Sequence, residues 1–76
     1  IPAALDYAAE ATRLTPEAPA VWWLASHVYA LAGRTEPALD ALTRALAMGR
    51  AKADAREAQE LASLRGQPAF RRLVAE

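Results

Sequence analysis

Cysteine is absent from this chain of 76 residues, which excludes disulfides and thiolate metal sites. Neither sign of charge is in excess, because nine Lys and Arg balance nine Asp and Glu, and charge alone therefore implies no polyanionic partner. The apolar runs are short and interrupted by charged residues, so the sequence predicts no membrane insertion, and no signal peptide is visible. Aliphatic β-branched residues are scarce, with one Ile and three Val, too few to build a sheet.

Strong helix formers make up much of the rest. Alanine occurs twenty-one times and leucine ten times, and neither loses much side-chain entropy in a helix. The length allows one small domain at most. The sequence therefore predicts a single all-α domain.

Single glycines divide the chain into about five helices. Gly33, Gly49 and Gly66 each follow a helical stretch, where a glycine can take the left-handed conformation that ends a helix. The connections are a few residues long, which predicts antiparallel packing of neighbouring helices. The predicted helices cover residues 2–14, 18–32, 35–48, 54–66 and 67 to the C-terminus.

Polar residues mark the predicted helix starts. Thr15 is followed by Pro and then Glu, and Thr35 is followed by Glu and then Pro. We expect both threonines to act as caps. Asp54 has Glu57 three residues later, the spacing of a capping box. Capping is therefore the expected role of these side chains.

An internal repeat underlies these helices. Residues 4–6 and residues 38–40 both read Ala-Leu-Asp, and Ala11 falls on Ala45 at the same offset of thirty-four residues. Self-similarity at this period is typical of stacked helical hairpins.

The chain resembles the tetratricopeptide repeat family at this point. That family carries Trp-x2-Leu-Gly-x2-Tyr on the first helix of each hairpin and Ala-x3-Phe on the second. Leu24 or Ala25 fills the Leu place, and Arg50 stands where the family has a late Pro. The residues that match the motif, and that the resemblance assigns to packing between repeats, are Trp22, Ala25, Tyr29, Gly33, Ala38, Leu42 and Ala45.

The C-terminal part, residues 61–73, is similar to the segment that closes many bacterial tetratricopeptide arrays. That segment has Leu-x2-Leu-Arg followed by Asp-Pro-x-Phe-x2-Leu, and this chain has Gln67 in the Asp place. Phe70, Leu73 and Val74 form one apolar face at helical spacing. We expect this face to cover the open end of a stack, as terminal repeats do.

The resemblance implies a short right-handed solenoid of antiparallel hairpins. Residues 1–18 correspond to the second helix of a preceding repeat, residues 19–52 to one complete repeat, and residues 53–76 to C-terminal capping helices. It also implies a non-enzymatic scaffold for protein–protein interaction. The lack of cysteine and of a signal suits the bacterial cytoplasm.

The second predicted helix is apolar almost all round, which indicates either complete burial or a second face used for binding. The first helix of each tetratricopeptide hairpin lines the concave surface of the stack. Trp23 is an amphipathic anchor of the kind enriched at binding hot spots, and the alternative is that it packs against neighbouring helices. The resemblance places Ala20, Trp23, His27, Ala30 and Leu31 in the partner-binding groove.

Residues with catalytic potential do not form a recognisable set. His27 is the single histidine and has no acid at helical spacing, so we predict no catalytic site, no metal site and no cofactor. The glycines stand singly and form no phosphate-binding loop.

The predicted partner is a protein segment. Some members of the tetratricopeptide family clamp a C-terminal carboxylate with Lys, Asn and Arg on the groove helices. The resemblance places Trp23 and His27 there instead, so an extended peptide or amphipathic helix with apolar side chains fits better. Acids are interspersed among the Arg residues, and no nucleic-acid binding is predicted. Two alternatives stay open: a structural end-cap that supports an upstream catalytic or regulatory domain, and self-association into a homo-oligomer through the exposed side of residues 2–14.

Overall fold

The computed structural model describes residues 2–75, with side chains from residue 3 onward. Ile1 and Glu76, at which the first and last predicted segments begin and end, lie outside the described residues. All the secondary structure within 2–75 is helical, which confirms the predicted all-α class. The helices are α1 (Pro2–Leu14), α2 (Pro19–Leu31), α3 (Thr35–Ala47), α4 (Lys52–Glu57), the 3₁₀ helix η1 (Gln59–Leu64) and α5 (Pro68–Val74).

The fourth predicted helix is two helices, and this part of the prediction was wrong. Ala58 has extended backbone angles, with φ −69° and ψ 118°, and separates α4 from η1. The guanidinium of Arg65 donates to the carbonyl oxygens of Arg56 and Ala58, at 3.2 and 3.3 Å. It thereby satisfies acceptors at the break. In a 3₁₀ helix residues i and i+3 eclipse, so Leu61 and Leu64 point the same way, and both are fully buried.

The predicted caps are not formed. Thr35 is the first residue of α3, Asp54 lies inside α4, and Thr15 stands three residues before the cap of α2. The residues at the caps make no side-chain hydrogen bond to the helix starts. α2 begins instead at Pro19, whose missing N–H removes one unsatisfied donor from the first turn. The observed cap residues are Ala18 for α2, Arg34 for α3 and Ala51 for α4.

Two of the three predicted helix-ending glycines adopt the left-handed region. Gly33 has φ +78° and Gly49 has φ +112°. Gly66 has no positive φ.

This difference gives a matched pair of substitutions. Gly33→Ala is expected to lower the free energy of unfolding by about 1–2 kcal/mol, because alanine is strained at positive φ. Gly66→Ala is expected to be neutral or to stabilise by about 0.5 kcal/mol, since it only restricts the unfolded chain. No atom lies within 4 Å of the added methyl at either site, so backbone conformation alone separates the two. Urea denaturation of both variants measures the difference, and equal effects would contradict the argument.

The helices enclose two apolar clusters. The smaller one joins α1, α2 and α3 through Ala8, Ala25 and Ala41, with Trp22 packed against it. Alanines at these contacts let the helices approach closely. Tyr29 packs against both clusters. The larger cluster joins α2 and α3 to the C-terminal helices, and its buried members are Ala30, Ala38, Leu42, Ala55, Leu61, Leu64, Phe70 and Val74.

Most of the residues assigned to repeat packing are buried or half-buried, and Gly33 is exposed. Ala25, Ala38, Leu42 and Ala45 are fully buried, and Trp22 and Tyr29 are half-buried. Of the two candidates for the Leu place, Ala25 faces inward while Leu24 is 41% exposed. At the C-terminus, Phe70 and Val74 are buried as the apolar face of α5 predicts. No helix within residues 2–75 has the length and apolar character needed to cross a membrane.

Candidate partner-binding surface

One side of α2 is left uncovered by the rest of the chain. The helix contacts α1, α3 and η1, and each residue advances about 100° around its axis. Residues 20, 24, 27 and 31 therefore fall within about 60° of one another, and residues 20, 24 and 31 are exposed while His27 borders η1. We name this row, consisting of Ala20, Leu24, His27 and Leu31, the α2 stripe.

The α2 stripe is apolar where a surface helix normally carries charge. Ala20 is exposed, Leu24 is 41% exposed and Leu31 is 61% exposed. No residue of α2 is charged, although the outward face of a helix in a globular protein is usually polar. Apart from the half-buried His27, the stripe is thus an exposed apolar surface.

Trp23 forms one edge of the stripe. Its ring is half-buried and packs against the larger cluster. The guanidinium carbon of Arg50 lies 4.3 Å from the ring centroid, within the range of a cation–π contact. Trp23 therefore packs against the larger cluster, which includes the C-terminal helices, and is also partly exposed.

His27 is held in a fixed orientation. Its Nδ1 lies 2.8 Å from the carbonyl oxygen of Trp23, and because that oxygen only accepts, the contact is a hydrogen bond when Nδ1 carries the proton. The Nε2 lies 4.0 Å from Oε1 of Glu60 on η1, and the ring centroid lies 4.7 Å from that of Trp23. His27 thus connects the stripe to η1. Among the described residues no three His, Asp or Glu side chains form a group that could hold a metal ion.

The structure changes the composition of the predicted groove. Ala30 is 4% exposed and belongs to the core, where Oγ of Ser63 on η1 donates to its carbonyl oxygen at 3.3 Å. Ala30 is therefore covered by the chain itself. Leu24 is exposed on the same side of α2 as Ala20 and Leu31, although the sequence analysis did not include it in the predicted groove. Its signal was present, because it stands four residues from Ala20 and seven from Leu31 on the same helical face.

Trp22 faces the other way from Trp23. Its Nε1 donates to the carbonyl oxygen of Pro16 at 2.6 Å, and the guanidinium carbon of Arg44 lies 4.8 Å from its ring centroid. Together these contacts tie the α1–α2 connection and α3 to α2. Trp22 therefore holds α2 against its neighbours and is not part of the stripe.

Two cations of α4 donate to backbone carbonyl oxygens at the end of α5. Nζ of Lys52 donates to the carbonyl oxygen of Ala75 at 3.1 Å, and the guanidinium of Arg56 donates to that of Val74. Such bonds satisfy carbonyls that a helix end leaves without partners. These cations fasten α5 to α4.

No protein-family model matches the chain, and no curated protein or solved structure matches it either. The resemblance to tetratricopeptide repeats therefore stays a prediction that rests on the residues of this sequence.

Proposed function

We propose that the chain is a non-enzymatic tetratricopeptide-type interaction module that binds a peptide or an amphipathic helix on the α2 stripe. The observation that carries the proposal is the exposure of Leu24 and Leu31 on one face of a helix without charged residues. Covering such side chains on binding removes apolar surface from water, at about 25 cal/mol per Å².

The resemblance adds support from a second direction. In the tetratricopeptide family the first helix of a hairpin supplies the concave binding surface, and α2 is the helix that carries the matching Trp22 and Tyr29. The alanines at the family's small-residue positions, Ala25, Ala38 and Ala45, are buried between helices. This assignment makes the exposed side of α2 the binding side.

The dimensions of the stripe limit the occupant. Leu31 stands eleven positions after Ala20, a length of about 16 Å along the helix axis. About three turns of a partner helix, or about five residues of an extended peptide, cover this length. The partner side chains that contact Leu24 and Leu31 are apolar, and Trp23 with its stacked Arg50 borders them on one side.

A paired substitution tests the proposal. Peptides are first selected on the wild-type chain from a random library, and their affinities are then measured for Leu24→Ser/Leu31→Ser. We expect binding at least about tenfold weaker, because two exposed leucines at the centre of the contact lose their apolar surface. Fluorescence of Trp23 in a Trp22→Phe background reports contact at the edge of the stripe.

The matched control lies on α1. Tyr7 and Leu14 are each 65% exposed, so Tyr7→Ser/Leu14→Ser removes comparable apolar surface from another helix. The selected peptides are expected to bind this variant as they bind the wild type. A selection that yields no peptide, or peptides equally sensitive to both variants, contradicts the proposal.

The end-cap alternative is favoured by one observation. The 3₁₀ helix η1 lies along the edge of the stripe, with Glu60 beside His27 and Ser63 bonded to Ala30. Because η1 occupies this edge of the stripe, less room is left for a partner there. A stripe that is partly filled by its own chain suits a structural end-cap. A soluble quencher that reaches neither tryptophan, together with a failed peptide selection, would favour this role.

Self-association has its own observation, on α1. Tyr7 and Leu14 are exposed on the same side of α1, next to Glu10, which accepts two hydrogen bonds from Arg13. These bonds lower the pKa of the Glu10 carboxyl.

At the offset of the internal repeat, Tyr7 corresponds to Ala41, which is 2% exposed because α2 covers it. Sedimentation at two concentrations distinguishes a monomer from a homo-oligomer.

A further inference from the structure

A second surface feature lies between α3 and α5. A cleft of about 490 Å³ is lined by residues of both helices. Leu39 and Leu73 are half-buried, pack against the larger cluster, and form the floor of the cleft. The lining residues are Glu36, Leu39, Asp40, Thr43, Ala69, Arg72 and Leu73. We name this feature the α3–α5 cleft.

The cleft and the α2 stripe lie on opposite sides of the α2–α3 hairpin. α3 buries Ala38, Leu42 and Ala45 toward its neighbours, and by helical periodicity Glu36, Asp40 and Thr43 point roughly the opposite way. The stripe lies on the side of α2 away from α3. A partner in the cleft therefore does not compete for space with a partner on the stripe.

The carboxylates on the acidic wall of the cleft have no ion-pair partner among residues 2–75. Glu36 and Asp40 stand one helical turn apart and are exposed, and neither carboxylate forms an ion pair or hydrogen bond within residues 2–75. Arg72 stands on the α5 wall and makes no side-chain ion pair within that same range. The cleft thus has an apolar floor, an acidic wall and one cation opposite.

A cleft between two helices with an apolar floor is the kind of groove that can receive an amphipathic helix. Opposite charges along the rims favour an occupant whose flanks carry the complementary charges. Two carboxylates one turn apart suit one or two cations beside an apolar residue. The volume lies within the range of well-formed binding clefts.

We propose that the α3–α5 cleft binds a helical segment of a partner protein in which Lys or Arg flanks leucine-class side chains. The apolar side chains contact Leu39 and Leu73, and the cations face Glu36 and Asp40. The site is independent of the α2 stripe. A chain with both sites joins two partners on opposite sides of one hairpin.

A synthetic helical peptide of about three turns serves as the probe, with leucines at positions i, i+3, i+4 and i+7 and lysines along the one flank that faces Glu36 and Asp40. Calorimetric titration at low salt measures its affinity, because surface ion pairs are screened at high salt. The double variant Glu36→Lys/Asp40→Lys is expected to bind about tenfold more weakly than wild type. A second peptide with Glu in place of Lys is expected not to bind the wild type.

The control variant is Glu17→Lys/Glu57→Lys, which changes the net charge equally at two exposed positions outside the cleft. It is expected to bind the probe as the wild type does, and so is Leu24→Ser/Leu31→Ser on the stripe. Equal weakening by both charge variants would reveal general electrostatic attraction and overturn the proposal. Loss of binding in the stripe variant, or no binding to the wild type, would overturn it as well. Circular dichroism verifies that each variant is folded.

Discussion

Leu42→Ala is expected to lower the free energy of unfolding by about 2–5 kcal/mol, the range for a buried leucine cut back to alanine. Leu42 is fully buried and belongs to the cluster that also contains Leu61, Leu64 and Phe70. Its side chain therefore joins the α2–α3 hairpin to the C-terminal helices. In a domain of this size such a loss lowers the melting temperature by about 10 °C or more.

The matched control uses the same chemical change at an exposed site. Leu31 is 61% exposed, and Leu31→Ala is expected to change the free energy of unfolding by no more than about 0.5 kcal/mol. Urea denaturation followed by circular dichroism measures both variants. Similar losses at Leu42 and Leu31 would show that Leu42 is not the centre of the core.

Phe70→Ala is expected to cost about 3–5 kcal/mol, because an aromatic ring buried to 3% exposure is replaced by a methyl group. The ring lies on α5 and packs in the same cluster as Leu42. We therefore expect the variant to destabilise the hairpin together with α5. Circular dichroism and tryptophan fluorescence should give coincident transitions, as a single cooperative unit does.

Arg71→Ala on the same helix is the control for Phe70. Arg71 is exposed, and its loss is expected to stay within about 0.5 kcal/mol. A Phe70 variant in which tryptophan fluorescence keeps the wild-type transition while part of the helix signal melts earlier would contradict the argument. That result would make α5 an independent attachment rather than part of the core.

The helix propensities and the glycines of the sequence predicted most of the fold. Alanine and leucine favoured helix throughout, and α1 has the predicted bounds of residues 2–14. Gly33 and Gly49 end helices at positive φ, as single glycines after helical stretches predict. These features are local, since each depends on the conformational preferences of a few adjacent residues.

The caps and the break at Ala58 were not predictable from local sequence. Nothing in residues 54–66 other than the final glycine disfavours a continuous helix, and the break is accommodated by Arg65, which reaches carbonyls seven and nine residues earlier. The burial of Leu61 and Leu64 against α2 and α3 then compensates the poorer hydrogen bonds of a 3₁₀ helix. Tertiary packing outweighed propensity here.

The sequence by itself determined that α2 has an apolar second face, because its composition leaves no charged residue for any side. Only the tertiary structure decided which part of that face is open. η1 comes from residues about thirty positions later, and it covers Ala30 while leaving Leu24 and Leu31 exposed. The α3–α5 cleft likewise joins residues 36–43 to residues 69–73. Periodicity fixes which residues share a helix face, but the faces that meet depend on how distant segments pack.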